Sequence, residues 1–402
     1  MLTTLLILAL AAMPLSALAE AEVVVTIISA TGVETESTAV TAADGALPVP
    51  TQSANILPVI PAHSSPYPQQ HENCYWCTPM DIRDEQAVWN MLMAPITVVD
   101  TDQKKQVQLR KEPSEDSEAV ADITGYSQGV HVLETLDNGW TLVEAYSSSF
   151  HDSKVKAWNQ FTQGYIKTSL LQVKEVINRE YAIVVDKLTQ RMYIFKEGKL
   201  FTELLVSTGL ANERQPYNET RSGEFLLVSA VGQFVSDNLL CNYAIRFNSG
   251  DLIHEVPHVP NADGTPNYKN TEPKLGERAS HGCIRVQRLR NPDGVNMRWI
   301  WNELYKSVAK NPVKFVIWED VPGRQVPLPD AQTPLYFNPN GGKNYHGSPT
   351  CFGIKDEFLP MTQFTYAQLD DAEHASLTPC PYCIPPQRQA VFEAINAAHL
   401  AP

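Results

Sequence analysis

The sequence predicts a mainly β protein of several domains, and three observations lead to that prediction. Short apolar runs separated by turn residues recur between residues 96 and 320, a pattern typical of β-strands joined by tight turns. Helical spacing is confined to two short stretches. The chain has 402 residues and 43% hydrophobic content, enough to bury more than one core. We therefore expect roughly two or three domains.

The first nineteen residues, MLTTLLILALAAMPLSALA, form an uncharged apolar run that ends in Ala17-Leu18-Ala19. This pattern predicts a secretory signal peptide cleaved before Glu20. An uncleaved membrane anchor is the alternative, because the run approaches the ~20 residues that span a bilayer. No later stretch is long and apolar enough to cross a membrane. We therefore expect a secreted protein, and an uncleaved signal would be its only contact with a membrane.

The net charge of −14 describes an acidic protein. Such a surface repels polyanions, which argues against nucleic acid as a partner. We expect a monomer.

Residues 20–70 are rich in Ala, Thr, Ser and Pro, a composition that predicts a disordered, extended linker. Residues 71–95 follow, and their apolar spacing predicts a short amphipathic helix that packs on the next domain. The residues that give this spacing are Asp84, Val88, Met91 and Leu92.

Residues 96–175 break into short apolar runs with turn signals between them. The opening LRKEPSEDSEAV, a strand led by Gly129, the NGW hairpin at 138–140 and the GYI run at 164–166 resemble a bacterial SH3-like domain, a small β-barrel. The resemblance implies either a module that binds wall peptide or glycan, or a spacer beside a catalytic unit. Both interpretations stay open.

Residues 180–320 predict a second β-rich unit. YAIVVDKLTQRMYIFKEGKLFTELLVSTG alternates apolar and polar residues around Glu197-Gly198, which indicates a hairpin. One helix is expected from residues at helical spacing: Trp301, Leu304, Tyr305 and Val308. A long connection separates His254 from Cys283, and connections of that length in compact domains are usually functional.

Cys283 is the candidate nucleophile. The chain has seven cysteines, so in an exported protein at least one thiol is left without an internal disulfide partner. A thiol with its usual pKa of ~8.5 is mostly protonated at neutral pH, so we expect a nearby base to ionise Cys283. Gly282 permits a sharp turn that brings backbone N–H groups toward an attacked carbonyl. The possible bases are His254, His258 and His281.

SHGCIR at 280–285, with Ile253-His254 upstream, resembles the signature of the YkuD-type L,D-transpeptidase catalytic domain. VSTG at 206–209 and RSGEF at 221–225 are similar to further segments of that family. The resemblance implies a β-sandwich-like domain with one or two helices. It also implies chemistry without a cofactor, and peptidoglycan stem peptides of the cell wall as partners.

The resemblance further implies a role for each residue. Cys283 would attack the carbonyl between a diamino acid and a terminal D-alanine, forming a thioester that an amine of a neighbouring stem resolves as a cross-link. His254 would be the base, oriented by the backbone carbonyl of Glu255. The N–H groups of Gly282 and Cys283 would bind the oxyanion.

Three other residues of the region are candidates for contact with substrate or for shaping the site. Arg285 would steer a substrate carboxylate through its fork of donors. His281 either lines the site or only shapes the turn, and Ser280 is expected to be structural rather than catalytic. The sequence departs from the family pattern in two ways. Between His254 and Ser280 lie 25 residues, so VPNADGTPNYKN looks inserted as a lid or substrate-selecting loop, and Arg285 replaces an asparagine.

Alternatives to this interpretation stay open. Hydrolysis of the thioester by water would make the protein an L,D-carboxypeptidase. A decayed site would make it a non-catalytic wall-binding protein. Cys283 would then be a structural thiol or half of a disulfide, and within an active enzyme His258 is the alternative base.

Residues 321–402 predict a small appended module with few apolar residues. His346, Cys351, Cys380 and Cys383 provide the donor types and the two-residue gap of a tetrahedral structural zinc site. A metal would stabilise a module that lacks a large core. Export favours disulfides instead, and reduced thiols are the third alternative.

The other cysteines have no assigned chemistry. Cys74 and Cys77 would pair with each other or complete a four-thiolate set with Cys380 and Cys383. Cys241 lies among apolar neighbours and is expected to be a buried small hydrophobe.

Overall fold

The computed structural model describes residues 80–321 and 323–400, and in these residues the chain is mainly β, as predicted. The predicted signal peptide (1–19), the predicted linker (20–70) and the pair Cys74 and Cys77 lie outside the described residues. In the described part of the chain, every helix is too short or too polar to span a bilayer.

The first helix, α1 (Glu85–Met93), forms where the apolar spacing predicted it. Asp84 caps it, because its carboxylate accepts a hydrogen bond from the Ala87 N–H at 3.1 Å. The expectation that α1 packs on the next domain is wrong. Its buried face covers the large sheet of residues 181–318, because that face of the sheet is apolar. The buried partners are Ala182, Val184, Phe195, Val316 and Trp318.

Seven strands come next after α1 and form a β-rich region whose first strand packs on Leu226 and Val228. They are β1 (Ile96–Val99), β2 (Gln106–Arg110), β3 (Ala119–Thr124), β4 (His131–Thr135), β5 (Trp140–Tyr146), β6 (Phe161–Lys167) and β7 (Leu171–Lys174). Strands β2–β6 form an antiparallel sheet in the order β3-β2-β6-β5-β4, and β1 pairs with β7. Gly139, with φ +84°, lies in the predicted turn between β4 and β5. The likeness of this region to an SH3-like domain stays a prediction.

Eleven strands and one α-helix make up the region that holds Cys283. They are β8 (Tyr181–Asp186), β9 (Arg191–Lys196), β10 (Lys199–Ser207), β11 (Gly223–Leu227), β12 (Ser229–Ser236), β13 (Leu239–Arg246), β14 (Leu252–Glu255), β15 (Val259–Pro260), β16 (Pro266–Asn267), β17 (Ile284–Val286), α2 (Met297–Leu304) and β18 (Val313–Trp318). Nine of these strands form one sheet in the order β11-β18-β8-β9-β10-β17-β14-β13-β12. We call it the catalytic sheet, because it includes the strand after the expected nucleophile Cys283 and the strand that holds the expected base His254.

The predicted hairpin is present between β9 and β10. Glu197 has φ +49° and Gly198 has φ +85°, the pair of positive values that suits a two-residue hairpin turn. Helix α2 begins after Asn296, whose side-chain oxygen accepts from the Trp299 N–H at 2.9 Å. Its buried residues join one core with the inner face of the catalytic sheet. The predicted mainly β class with one α-helix in this unit is confirmed.

The last region contains β19 (Pro334–Phe337), β20 (Asn344–Tyr345), β21 (Thr362–Thr365), β22 (Thr378–Pro379) and α3 (Gln389–Leu400). Strand β19 pairs with β21, and β20 runs parallel to β22. Its apolar cluster is small, with Leu335, Phe337, Tyr345, Phe364, Tyr366 and Leu369 buried. Short 3-10 helices across the described chain are Thr168–Leu170, Pro216–Asn218, Glu272–Lys274, Asp356–Phe358 and Tyr366–Gln368.

Candidate active site

Two adjacent parallel strands bring Cys283 and His254 together. Cys283 directly precedes β17, and β17 pairs with β14 in a register that places Ile253 opposite Ile284 and His254 opposite Arg285. Ile253 and Ile284 point into the apolar core. Because side chains alternate along a strand, Cys283, Arg285 and His254 all lie on the other face. The thiol and the imidazole therefore share one side of neighbouring strands.

The Cys283 thiol is free and half-buried, so it is not half of a disulfide. Its Sγ lies 3.9 Å from the carbonyl oxygen of Gly250. Burial, together with the nearby Asp251 carboxylate, raises the pKa of Cys283 to about 12. A thiol with this pKa is protonated at neutral pH. A base has to remove the proton as the sulfur attacks.

His254 is buried and oriented as predicted. Its Nδ1 lies 2.7 Å from the backbone carbonyl oxygen of Glu255. A carbonyl only accepts hydrogen bonds, so Nδ1 carries the proton and Nε2 keeps a free lone pair. Burial lowers the pKa of His254 to about 4, so the ring is neutral at pH 7. The Phe234 ring stands edge-on to it, with centroids 5.4 Å apart. His254 is thus available as a proton acceptor.

Gly282 shapes the turn before Cys283. Its φ is +115°, a conformation that other residues rarely adopt. A Cβ at this position would lie 2.6 Å from Asp251 Oδ1 and 2.9 Å from Arg221 Nη1. The Gly282 N–H lies 3.3 Å from Ser280 Oγ, and the same hydroxyl donates to the Cys283 carbonyl. Ser280 therefore holds the turn, in agreement with its expected structural role.

A buried ion pair beneath Gly282 is the feature that the sequence did not predict. Arg221 Nη1 lies 3.2 Å from both carboxylate oxygens of Asp251, and both residues are almost fully buried. Arg221 Nη2 donates to the Ser149 carbonyl at 2.6 Å, and the guanidinium lies 4.1 Å from the centre of the Phe150 ring. Ser149 and Phe150 belong to the segment between β5 and β6. This pair therefore connects the Cys283 turn to the preceding sheet.

The remaining predicted residues occupy different positions. His281 is exposed, and its Nδ1 lies 3.0 Å from Asp237 Oδ2 in the turn between β12 and β13. Arg285 is partly buried on the same strand face as Cys283. Glu255 contributes only its backbone carbonyl to this site. Its carboxylate lies on the opposite face of β14 and accepts from the Tyr268 hydroxyl at 3.1 Å. Any contact of Glu255 with substrate stays a prediction.

The inserted segment between His254 and Ser280 is a folded hairpin of β15 and β16 with Gly264 in its turn. Tyr268 anchors it by packing on the His258 ring, with centroids 5.1 Å apart. His258 follows the C-terminal end of β14, whereas Cys283 lies beside the N-terminal end of that strand. This placement favours His254 over His258 as the base.

The cysteines outside the site have separate environments. Cys241 is buried as expected, and burial raises the pKa of its thiol to about 11. His346, Cys351, Cys380 and Cys383 form a cluster whose ligand atoms all lie within 4.8 Å of one another. The three cysteines of the cluster are free thiols in the structure, and no disulfide joins any of the described cysteines.

Residues 180–314 match the sequence model of the L,D-transpeptidase catalytic domain, YkuD. No curated protein matches the chain. Among solved structures, an L,D-transpeptidase from Xylanimonas cellulosilytica is 17% identical, with 35% of this chain and 60% of that chain covered and a TM-score of 0.23. One from Stackebrandtia nassauensis is 19% identical, with 35% and 57% covered and a TM-score of 0.23.

The catalytic domain of an E. faecium L,D-transpeptidase acylated by ertapenem is 21% identical to the aligned part of the chain. The alignment covers 35% of this chain and 98% of that chain, with a TM-score of 0.23. The chain thus spans less than two thirds of the Xylanimonas and Stackebrandtia structures but nearly all of the single catalytic domain.

Proposed function

From the L,D-transpeptidase catalytic domain at residues 180–314, we propose that this protein is a peptidoglycan L,D-transpeptidase that works through a thioester on Cys283. The observation that supports the proposal most strongly is the placement of Cys283 and His254 on one face of two adjacent parallel strands. The 2.7 Å contact of His254 Nδ1 with the Glu255 carbonyl leaves Nε2 as the proton acceptor.

The first half of the reaction forms the acyl-enzyme. As Cys283 Sγ attacks the carbonyl carbon before the terminal D-alanine, His254 Nε2 accepts the thiol proton. The N–H groups of Gly282 and Cys283 are proposed to bind the resulting oxyanion, and the Gly282 N–H, which lies 3.3 Å from Ser280 Oγ, exchanges that contact for the oxyanion. When the intermediate collapses, the C–N bond breaks and His254 returns the proton to the departing D-alanine amine. A thioester remains on Cys283.

The second half resolves the thioester. An amine of a neighbouring stem attacks the acyl carbon, His254 accepts the amine proton, and the sulfur leaves and regains a proton. The product is a cross-link between two stems. Arg285 lies on the same strand face as Cys283, and its guanidinium supplies the charge that would hold a substrate carboxylate. If water replaces the amine, the same steps give an L,D-carboxypeptidase.

The proposal places the protein outside the cytoplasmic membrane. The apolar residues 1–19 provide the export signal, and the wall is where stem peptides are found. The five-stranded sheet β2–β6 is proposed to be an SH3-like module that binds wall peptide or spaces the catalytic unit from it. The acyl transfer needs no cofactor, because the thiol and the imidazole supply both the nucleophile and the base.

Intact-mass spectrometry with a carbapenem tests the proposal. The wild-type protein is expected to gain one covalent adduct, as the E. faecium domain does with ertapenem, and Cys283→Ala to gain none. Cys241→Ala, which removes the buried free thiol on β13, is the matched control and is expected to keep the adduct. Cys283→Ala is also expected to lose D-amino-acid exchange.

Two outcomes would overturn parts of the proposal. Exchange retained by Cys283→Ala would exclude the cysteine mechanism. A wild-type protein with a free Cys283 that gains no adduct and makes no product from muropeptides would instead be a wall-binding protein. Product analysis separates the two enzymatic activities, because tripeptide alone indicates hydrolysis and dimers indicate transfer.

A further inference from the structure

The cluster of His346, Cys351, Cys380 and Cys383 lies in the last region and takes no part in the acyl transfer. The parallel strands β20 and β22 place Tyr345 opposite Pro379, and His346 and Cys380 are the next residue of each strand. Two ligands thus leave the ends of adjacent strands side by side. The other two, Cys351 and Cys383, come from the turns that follow those strands. Two separate segments therefore supply two ligands each.

Two distances within the cluster match those expected between ligands of a tetrahedral zinc ion. Cys351 Sγ lies 3.9 Å from Cys380 Sγ, and Cys383 Sγ lies 3.7 Å from His346 Nδ1. Zinc bonds of ~2.3 Å to sulfur and ~2.0 Å to nitrogen, at tetrahedral angles, set these separations at ~3.8 Å and ~3.5 Å. A disulfide would require ~2.05 Å between sulfurs. The Cys351–Cys380 and His346–Cys383 pairs therefore have the spacing of zinc ligands, and all four ligand atoms lie within 4.8 Å of one another.

Backbone donors support the charged form of two of the thiols. The Gly347 N–H lies 3.3 Å from Cys383 Sγ, and the Tyr382 N–H lies 3.4 Å from Cys380 Sγ. Donors to sulfur stabilise thiolates, which are the form that binds metals. Tyr382 lies in the same turn as Cys380, whereas Gly347 follows His346 and donates across to Cys383 of the other segment. This arrangement is typical of a metal-binding turn.

Burial makes the cluster costly without a bound cation. His346, Cys351 and Cys380 are 6%, 3% and 2% exposed, in a region whose apolar cluster is small. Buried polar groups without partners cost free energy, and the small apolar core of this region offers little stabilisation to offset that cost. A zinc ion satisfies all four groups at once. Four protein ligands also leave no open position, so the site would be structural and not catalytic.

We propose that His346, Cys351, Cys380 and Cys383 bind one Zn²⁺ ion and that this ion stabilises the fold of residues 334–398. The turn that carries Cys383 also reaches the catalytic sheet. Cys383 and Ile384 line a cleft together with Arg191 and Glu203 on strands β9 and β10. The ion would therefore fix the turn that connects this region to the catalytic sheet.

Metal analysis of the full chain tests this proposal. After purification without added chelator or metal, the protein is expected to contain about one equivalent of zinc per chain. Removal of zinc should lower the melting temperature and expose three more thiols to a thiol reagent, and added Zn²⁺ should reverse both changes. Co²⁺ in place of zinc should give the absorption bands of a tetrahedral cobalt–thiolate site.

Variants make the assignment specific to these residues. Cys380→Ser should lose most of the bound zinc, whereas His346→Cys should keep it, because a fourth thiolate replaces the imidazole. Cys283→Ala is the control for the other site and should keep full zinc while losing acylation. This control separates the two proposals, since zinc content does not depend on acyl transfer.

Three results would overturn the zinc site. One is a well-folded wild-type protein that stays metal-free after incubation with Zn²⁺ under reducing conditions. Another is a disulfide between two of the three cysteines in the exported protein, with no metal bound. The third is zinc retained at the wild-type level by Cys380→Ser. If Cys380→Ser fails to fold, the chelation and cobalt measurements on the wild-type protein decide the question.

Discussion

The catalytic sheet and the C-terminal region hold their cysteines in opposite ways. The sheet places Cys283 beside one imidazole, above a core that buries 22 hydrophobic residues among those described. The C-terminal region buries only six in its cluster and gathers three cysteines and a histidine within 4.8 Å. A large core can support a lone reactive thiol, because the thiol is not needed for stability. In a small core, the polar cluster itself has to contribute stability.

The largest expected effect is on the rate of acylation at Cys283 in the catalytic sheet. His254→Gln removes the proton acceptor next to Cys283 and should slow carbapenem acylation by roughly 10²–10⁴-fold. His258→Gln is the matched control, because His258 lies beyond β14 and packs on Tyr268. Its acylation rate should stay near that of the wild type. Stopped-flow or timed mass spectrometry measures both, and an equal loss in the two variants would contradict the assignment of the base.

A second test concerns the buried pair that supports the Cys283 turn. Asp251→Asn keeps the side-chain shape but leaves the buried Arg221 guanidinium without its counter-charge. Loss of one partner of a buried pair costs roughly 3–5 kcal/mol, so the free energy of unfolding should fall by about that amount. Glu277→Gln, which breaks an exposed pair with Lys274, is the control and should change it by less than ~1 kcal/mol.

Denaturant unfolding of the two variants measures this difference. Acylation should also slow in Asp251→Asn, because the backbone of Gly282 passes so close to the pair that a Cβ there would lie 2.6 Å from Asp251 Oδ1. A stability equal to that of the wild type would show that the pair does not support the turn.

The smallest expected effect is the pH dependence. Burial lowers the pKa of His254 to about 4, so the ring gains a proton and loses its function only as the pH falls through that value. Burial raises the pKa of Cys283 to about 12, so no thiol ionisation occurs near neutral pH. The acylation rate should therefore be constant between about pH 6 and pH 9 and decline at the acid side.

The pH profile distinguishes two resting states. A thiolate–imidazolium pair would lose activity on the alkaline side, where the imidazolium deprotonates. A bell-shaped profile of carbapenem acylation with an alkaline limb below pH 9 would contradict the neutral pair.

Local patterns made much of the fold predictable. The spacing of Val88 and Leu92 predicted α1, and Glu197-Gly198 predicted the hairpin of β9 and β10. The signature at 280–285, with Ile253-His254 upstream, predicted the candidate residues Cys283 and His254, which the structure places on one face of adjacent strands. These features depend on neighbours within a few residues, so the sequence alone contains them.

Features that depend on distant parts of the chain could not be predicted. Arg221 and Asp251 lie 30 residues apart and meet only through the sheet, and their contact with Ser149 spans 72 residues. The raised pKa of Cys283 depends on its burial and on the nearby Asp251. Helix α1 packs on the catalytic sheet because that sheet offers an apolar face, which no local pattern shows. In the C-terminal region the ligand set was predictable, but only its distances favour a metal over disulfides.

Trapping the acyl-enzyme with a tetrapeptide stem tests most directly whether a thioester forms on Cys283. The protein is quenched in acid during turnover, digested, and the peptides are identified by mass. The peptide containing Cys283 is expected to carry a tripeptide acyl group, with one D-alanine released for each acyl group that forms. A turnover that releases D-alanine with no acyl group on Cys283, or with the group on another residue, would contradict the thioester on Cys283.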